Sequence, residues 1–237
     1  MSTTTYNNGG FSDQIIRNLC VSAIADKHKL FVDYSNYDKI KLLGIYLHGG
    51  PLKYEKTEIV NDDNFFDVLN SDSIDYNINA DDSFFQTKEI SNYLYTYLQK
   101  RENKRLILPF NEFNKRHGNN NDCFVHVSDG TSNLVFEYYD KVLSEISFDN
   151  LYISCVNSND DVVQQIMNKY QNSSVLSYEE SDTIKFASTN KYVILSTGSL
   201  SAVIGYVSYD STVYYPDYEN TGNGGLLSIP TWNKIEY

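Results

Sequence analysis

Between residues 123 and 216 short apolar runs alternate with helical patterns, and this alternation constrains the fold more than any other feature of the chain. Strands are expected at 123–127, 151–155, 175–178, 192–195 and 212–215. Helices are expected between them at 134–146, 160–170, 179–187 and from 200 to about 209. Strands separated by single helices predict a doubly wound parallel sheet, because parallel neighbours need a crossover and a helix supplies it. The last unit, YVILSTGSLSAVIGYVSYDSTVYYP over 192–216, runs strand, small-residue turn, apolar helix, strand, with Pro216 as the stop. Ligands of open parallel sheets bind outside the carboxyl ends of the strands, and the free N–H groups that open a helix suit an anion. The turn Ser196-Thr197-Gly198-Ser199 is therefore the expected ligand contact, with the Thr197 and Ser199 hydroxyls as further donors.

The first half is also α/β but less regular. Gly9-Gly10-Phe11 leads into a helix in which Ile15, Ile16, Leu19, Cys20, Ala23 and Ile24 recur at helical spacing. Ser12 is the expected N-cap, and Asp13 lies in the first turn, where a carboxylate complements the helix dipole. Strands are expected at 30–34, 42–47 and 106–108. A short helix carries Phe65, Phe66, Val68 and Leu69, and a longer one runs from 83 to about 101. The stretch 111–122, with Gly118 and three consecutive asparagines, reads as an exposed connection. A boundary there divides the chain into an N-terminal α/β domain, 1–115, and a C-terminal Rossmann-like domain, 116–237.

Charge narrows the partners. Thirty-one acidic against 19 basic residues give a net charge of −12, which argues against a nucleic acid held by counterion release but leaves room for a small phosphate ligand. No apolar run approaches the roughly 18 residues of a membrane span, and the first residues have neither the basic nor the apolar region of a signal peptide, so a cytosolic chain is expected. Cys20, Cys123 and Cys155 sit in apolar patterns and are expected to be reduced, buried thiols. No His, Cys or Asp spacing suggests a metal site. The 21 tyrosines are spread through core patterns and do not mark a sugar platform.

Two stretches combine into a resemblance. Gly9-Gly10-Phe11-Ser12-Asp13-Gln14 resembles the GGLGNQ opening of α-1,2-fucosyltransferase-like proteins, glycosyltransferase family 11 and its relatives. Ser196-Thr197-Gly198-Ser199-Leu200-Ser201 resembles the SNSSFSWW-type motif that opens the last helices of that family's nucleotide-sugar domain. Between them, Phe124-Val125-His126-Val127-Ser128-Asp129-Gly130 stands where the family has HxRxGD. The resemblance implies two Rossmann-like domains of the GT-B kind, with the donor on the C-terminal domain and the acceptor glycan in the cleft. It implies an inverting transfer from a nucleotide-sugar without a bound metal or other cofactor. Shortened relatives in large DNA viruses fit the Asn-, Tyr- and Asp-rich, Arg-poor composition, which would place the protein in a host cytoplasm.

Carried residue by residue, the resemblance makes Gly9, Gly10, Arg17, His126, Ser128, Ser196, Thr197, Gly198 and Ser199 donor-side residues. Ser128 departs from the pattern: it stands where the family's arginine contacts the diphosphate. The donor is therefore open among GDP-, UDP- and dTDP-linked sugars. Asp13 is the candidate base for the acceptor hydroxyl, or it serves only the helix dipole. His126 ends a strand facing the same crevice and either serves there as a catalytic group that hydrogen-bonds donor or diphosphate, or is a satisfied polar residue. Arg17 either reaches the cleft or is solvated, and Gly9 and Gly10 allow close approach or form a tight turn. Glu179 and Glu180 cap the next helix or bind a sugar hydroxyl. The alternatives are a non-catalytic module holding a glycan or nucleotide, and a dinucleotide enzyme, which the lack of GxGxxG disfavours.

Overall fold

The structure, a computed structural model, describes residues 9–51, 53–80, 83–128, 134–217 and 225–237. In chain order the elements are α1 (Phe11–His28), α2 (Tyr37–Lys41), β1 (Thr57–Ile59), α3 (Phe65–Asn70), β2 (Asn77–Asn79), α4 (Lys88–Gln99) and α5 (Arg101–Phe110). A 3-10 turn at Asn114–Arg116 leads to β3 (Cys123–Val127), α6 (Phe136–Glu145), β4 (Leu151–Cys155), α7 (Asp161–Lys169) and β5 (Ser173–Leu176). Then come α8 (Glu180–Ala187), β6 (Tyr192–Ile194), α9 (Ser199–Tyr206), β7 (Thr212–Pro216) and β8 (Asn233–Ile235).

Strands β3 to β8 form one wholly parallel sheet in the order β5-β4-β3-β6-β7-β8. Counted from β3 this is 3-2-1-4-5-6, the order of Rossmann-type sheets, and it reverses between β3 and β6. Side chains alternate across it as the pleat requires. Cys123, Val125, Leu151, Ile153 and Ile194 face one cluster with Tyr138, Tyr139 and Val142 of α6 and Val163 and Ile166 of α7. Phe124, Val193 and Val213 face the other, with α8, α9 and α1. The expected doubly wound sheet thus stands, with a sixth strand, β8, that pairs its three residues with β7. Pro216 does not end the ladder as expected; it lies opposite Ile235 as the last residue of β7.

The first half wraps α1. Every residue from 14 to 25 is buried, so α1 is an interior helix rather than an amphipathic surface one. It packs on α9, and Ile15 to Ala25 share one continuous cluster with Phe124, Val193, Ala202 and Trp232. One buried core therefore joins the two halves of the chain across the connection at 111–122. A small second sheet, β1 parallel to β2, is linked through α3.

Two expectations fail here for one physical reason. No strand forms at 30–34 beyond a single bridge residue, and none at 42–47. The backbone and side chains of this strap find their partners on the polar stripe of α1 instead of in a ladder. Asn18 Nδ2 donates to Ser35 O at 2.7 Å, Asn36 Nδ2 donates to Gln14 Oε1 at 2.5 Å, and His48 N donates to Ser22 Oγ at 2.5 Å. The expected strand 106–108 is the middle of α5, with Pro109 in its last turn and Ile107 as its buried contact. A run of three apolar residues does not distinguish strand from helix. The helix expected from 83 starts at Lys88, where the Thr87 hydroxyl accepts from Ile90 N.

Candidate functional site

Helices α6 and α9 leave the carboxyl ends of β3 and β6 on opposite faces, so the sheet opens a crevice between those strand ends. Two α6 tyrosines hold its two sides. Tyr138 donates to Leu195 O at 2.6 Å and Tyr139 to His126 O at 3.2 Å, both from fully buried rings. Burial pushes the Tyr139 phenol well above its ordinary range, against a smaller opposite pull from its hydrogen bond to Ser196, so it remains a neutral donor.

Across the crevice floor, the hydroxyls of Ser128 and Ser196 are 2.7 Å apart, and Ser128 N donates to Ser196 Oγ at 3.2 Å. Ser201, in the first turn of α9, accepts from Ser196 N at 3.0 Å and lies 2.7 Å from His126 Nδ1. A serine hydroxyl beside a histidine is also the geometry of an activated nucleophile. Here Ser201 has no exposed surface and His126 is 5% exposed, so the pair braces the turn from beneath.

Above this frame the chain turns through Gly198, which caps α9 with φ +90° and ψ 175°, a region held almost only by glycine. Among the described residues, its two chain neighbours apart, no atom lies within 4 Å of where its Cβ would stand. Among the described residues nothing accepts from the N–H groups of Ser199, Leu200 and Ser201. Thr197 and Gly198 wall a cavity of about 550 Å³, within the range of small-ligand sites. Lys88 at the start of α4, Tyr215 and Asp217 at the end of β7, residues 225–230 and Lys234 complete it. Lys234 pairs with Asp217 at 2.7 Å, whereas no carboxylate among the described residues pairs with Lys88.

The glycine pair and Asp13 lie at the same edge, because α1 is pinned to the start of α8. Ser12 N and Oγ both donate to Glu180 Oε1, at 2.9 and 2.5 Å. Asp13 closes the other side: its Oδ2 accepts from Gly10 N at 2.8 Å and its Oδ1 from Gln86 Nε2 at 2.7 Å. Gly10, not Ser12, is the N-cap. Gly9 takes φ +88°, and a Cβ there would stand 2.6 Å from Asp13 Oδ2. The opening of α1 is thus already furnished with two carboxylates. Glu180 thus caps a helix 168 residues away and not α8, whose N-cap position is Glu179, without a side-chain cap bond.

The structure therefore brings Ser128, Ser196, Thr197, Gly198 and Ser199 to one crevice, with His126 buried under it. Arg17 is fully buried, its Nε donating to Ser83 O at 3.0 Å and its guanidinium 5.8 Å from the Phe84 ring. It is not a solvated helix residue. Asp129 and Gly130 lie outside the described residues. Sequence reasoning missed Ser201, Tyr138, Tyr139 and Lys88; the first two kinds are polar groups inside apolar patterns, which is their only signal. Cys20 and Cys123 are buried free thiols whose pKa burial raises, and Cys155 is half-buried and shifted the same way. Among the described residues no three His, Cys, Asp or Glu side chains are grouped to hold a metal ion, and no helix is long and apolar enough to cross a membrane.

Fold and crevice together define a Rossmann-like α/β protein with an anion-suited turn at its strand ends. No protein-family model matches the chain, and no curated protein matches it significantly.

Proposed function

We propose that this protein binds a nucleotide-sugar at the β6–α9 turn and is an inverting glycosyltransferase that passes the sugar to a glycan hydroxyl. The observation that carries the reading is the Gly198 turn, which leaves the first N–H groups of α9 without an acceptor among the described residues, beside a cavity of about 550 Å³. In this reading the diphosphate rests on Thr197, Gly198 and Ser199. The helix terminus contributes about 0.3–1 kcal/mol, up to about 2 when partly buried. Lys88 supplies the cation that Ser128 does not. His126 and Ser201 are positioning residues, and neither touches the donor.

Asp13 is the base in this reading, on the acceptor side with Gly9 and Gly10. The two carboxylates at the opening of α1 would repel a diphosphate, which supports α9 as the place for that phosphate. Fucose or another hexose, GDP-, UDP- or dTDP-linked, is the group transferred, and the two halves of the chain act as the two sides of a GT-B-like cleft.

A screen of the purified protein by calorimetry against UDP, GDP, dTDP and CMP and their sugar conjugates tests the reading. One nucleotide is expected to bind selectively, and the absence of heat with all four at millimolar concentration would overturn it. A second reading, a module that holds nucleotide or glycan without turnover, is favoured by one observation: both Asp13 oxygens already accept hydrogen bonds. Turnover by the unaltered protein separates the two, and Asp13→Asn then tests the base. The transferase reading expects turnover to fall about 100-fold or more with nucleotide affinity unchanged. An unaltered rate removes Asp13 from the base role.

A further inference from the structure

The strap at residues 30–50, which forms no strand, builds a second cavity of about 470 Å³ away from the nucleotide crevice. Its walls are Phe31, Tyr34, Tyr37 and Tyr46, with Asp33 among them and Gly49 and Gly50 as a side-chain-free floor. This is a held structure. The strap is fastened to α1 through Gln14, Asn18 and Ser22, and the Tyr34 hydroxyl closes it by donating to His48 O. Gly50 is seated so closely on the preceding segment that a Cβ would stand 2.9 Å from Leu30 O. Yet Phe31, Tyr37 and Tyr46 keep 44%, 40% and 58% of their surface in solvent, although Tyr37 stacks on Tyr34 and Tyr46 meets the His48 ring edge to face, so large apolar faces stay open at the rim.

We infer that this groove binds a neutral saccharide. A pyranose ring presents an apolar C–H face and a rim of hydroxyls; aromatic faces suit the first, and polar groups and peptide groups beside them suit the second. The net charge of −12 disfavours anionic glycans. A quaternary ammonium ligand needs rings on several sides of one point. Tyr34 and Tyr37 instead stack on each other, within 25° of parallel at 6.4 Å, and as a pair do not enclose a point. Sequence alone reads these tyrosines as core; the fold leaves them at the rim. Naming the saccharide as acceptor rests on the transferase reading, whereas its binding does not.

The test is saturation-transfer NMR and calorimetry of the intact protein, without nucleotide, against a panel of neutral disaccharides including lactose, N-acetyllactosamine, maltose and cellobiose. At least one is expected to bind saturably with a Kd of about 1 mM or tighter. Tyr46→Ala and Tyr37→Ala, both at exposed positions, are each expected to weaken it at least about fivefold while the thermal unfolding midpoint stays in place. Binding of no disaccharide overturns the inference, as does binding that neither variant alters or that tetramethylammonium displaces. A nucleotide titration run in parallel keeps the two readings apart. Nucleotide binding without saccharide binding removes the groove and leaves the crevice, and the converse removes the crevice alone.

Discussion

At Gly198 the backbone occupies a conformation that any side chain strains, although there is open space around it. A residue of this kind is kept for the shape of its turn, not for packing. Gly198→Ala is therefore expected to cost about 1–3 kcal/mol in urea unfolding. A loss under about 0.5 kcal/mol, the range of an ordinary surface substitution, would show that the turn relaxes and that its shape is not a constraint. The turn's identity was legible because glycine and small hydroxyl residues between a strand and a helix have few other uses. The roles of Asp13 and Glu180 were not. Sequence spacing shows that Asp13 lies in a first turn, but not that Gln86 holds its second oxygen, nor that Glu180 reaches Ser12. Long-range partners of single polar groups leave no periodic trace.

Helix α1 shows the same limit for a whole element. Its helical period was clear, and its apolar positions are buried as expected. Its polar stripe, Gln14, Asn18 and Ser22, has the four-residue spacing of a solvent face and instead anchors the strap at 30–50. Once those side chains take the strap's backbone and amide groups, the strap has no need of a strand partner, and the pattern that predicts strands at 30–34 and 42–47 misleads. In the second half each strand is bounded by helices and pairs only with its own kind, so period and turn chemistry carried most of the assignment. The exception, β8, is three residues long and polar at two of them, too short to show a period. The junction of α1 with α8 gives a test at this scale. Glu180→Ala removes the acceptor of Ser12 N and Oγ and is expected to cost about 1–2 kcal/mol of unfolding free energy. Glu180→Gln keeps an acceptor oxygen and should recover at least half of that. Equal losses for both variants would mean that charge, not the hydrogen bonds, holds the junction.

For the whole molecule, the parallel order 3-2-1-4-5-6 places the reversal between β3 and β6, and every residue assigned to the nucleotide lies at the carboxyl edge beside it or one strand away. The same edge receives the opening of α1, because α8 begins where β5 ends and Glu180 draws Ser12 to it. One continuous core behind these contacts makes the first half a wall of the site and not an appendage. Fold class was readable from alternation alone; the meeting of the two halves was not, since it depends on α1 burying all its faces. The most direct test of the account is an amide-resolved NMR titration with whichever nucleotide binds in the calorimetric screen. The account predicts that the largest shifts cluster at Thr197, Gly198, Ser199, Leu200 and Ser201, extend to Lys88, and are weak at Gly10 and Ser12. Shifts centred on the opening of α1, with residues 197–201 unmoved, would contradict it.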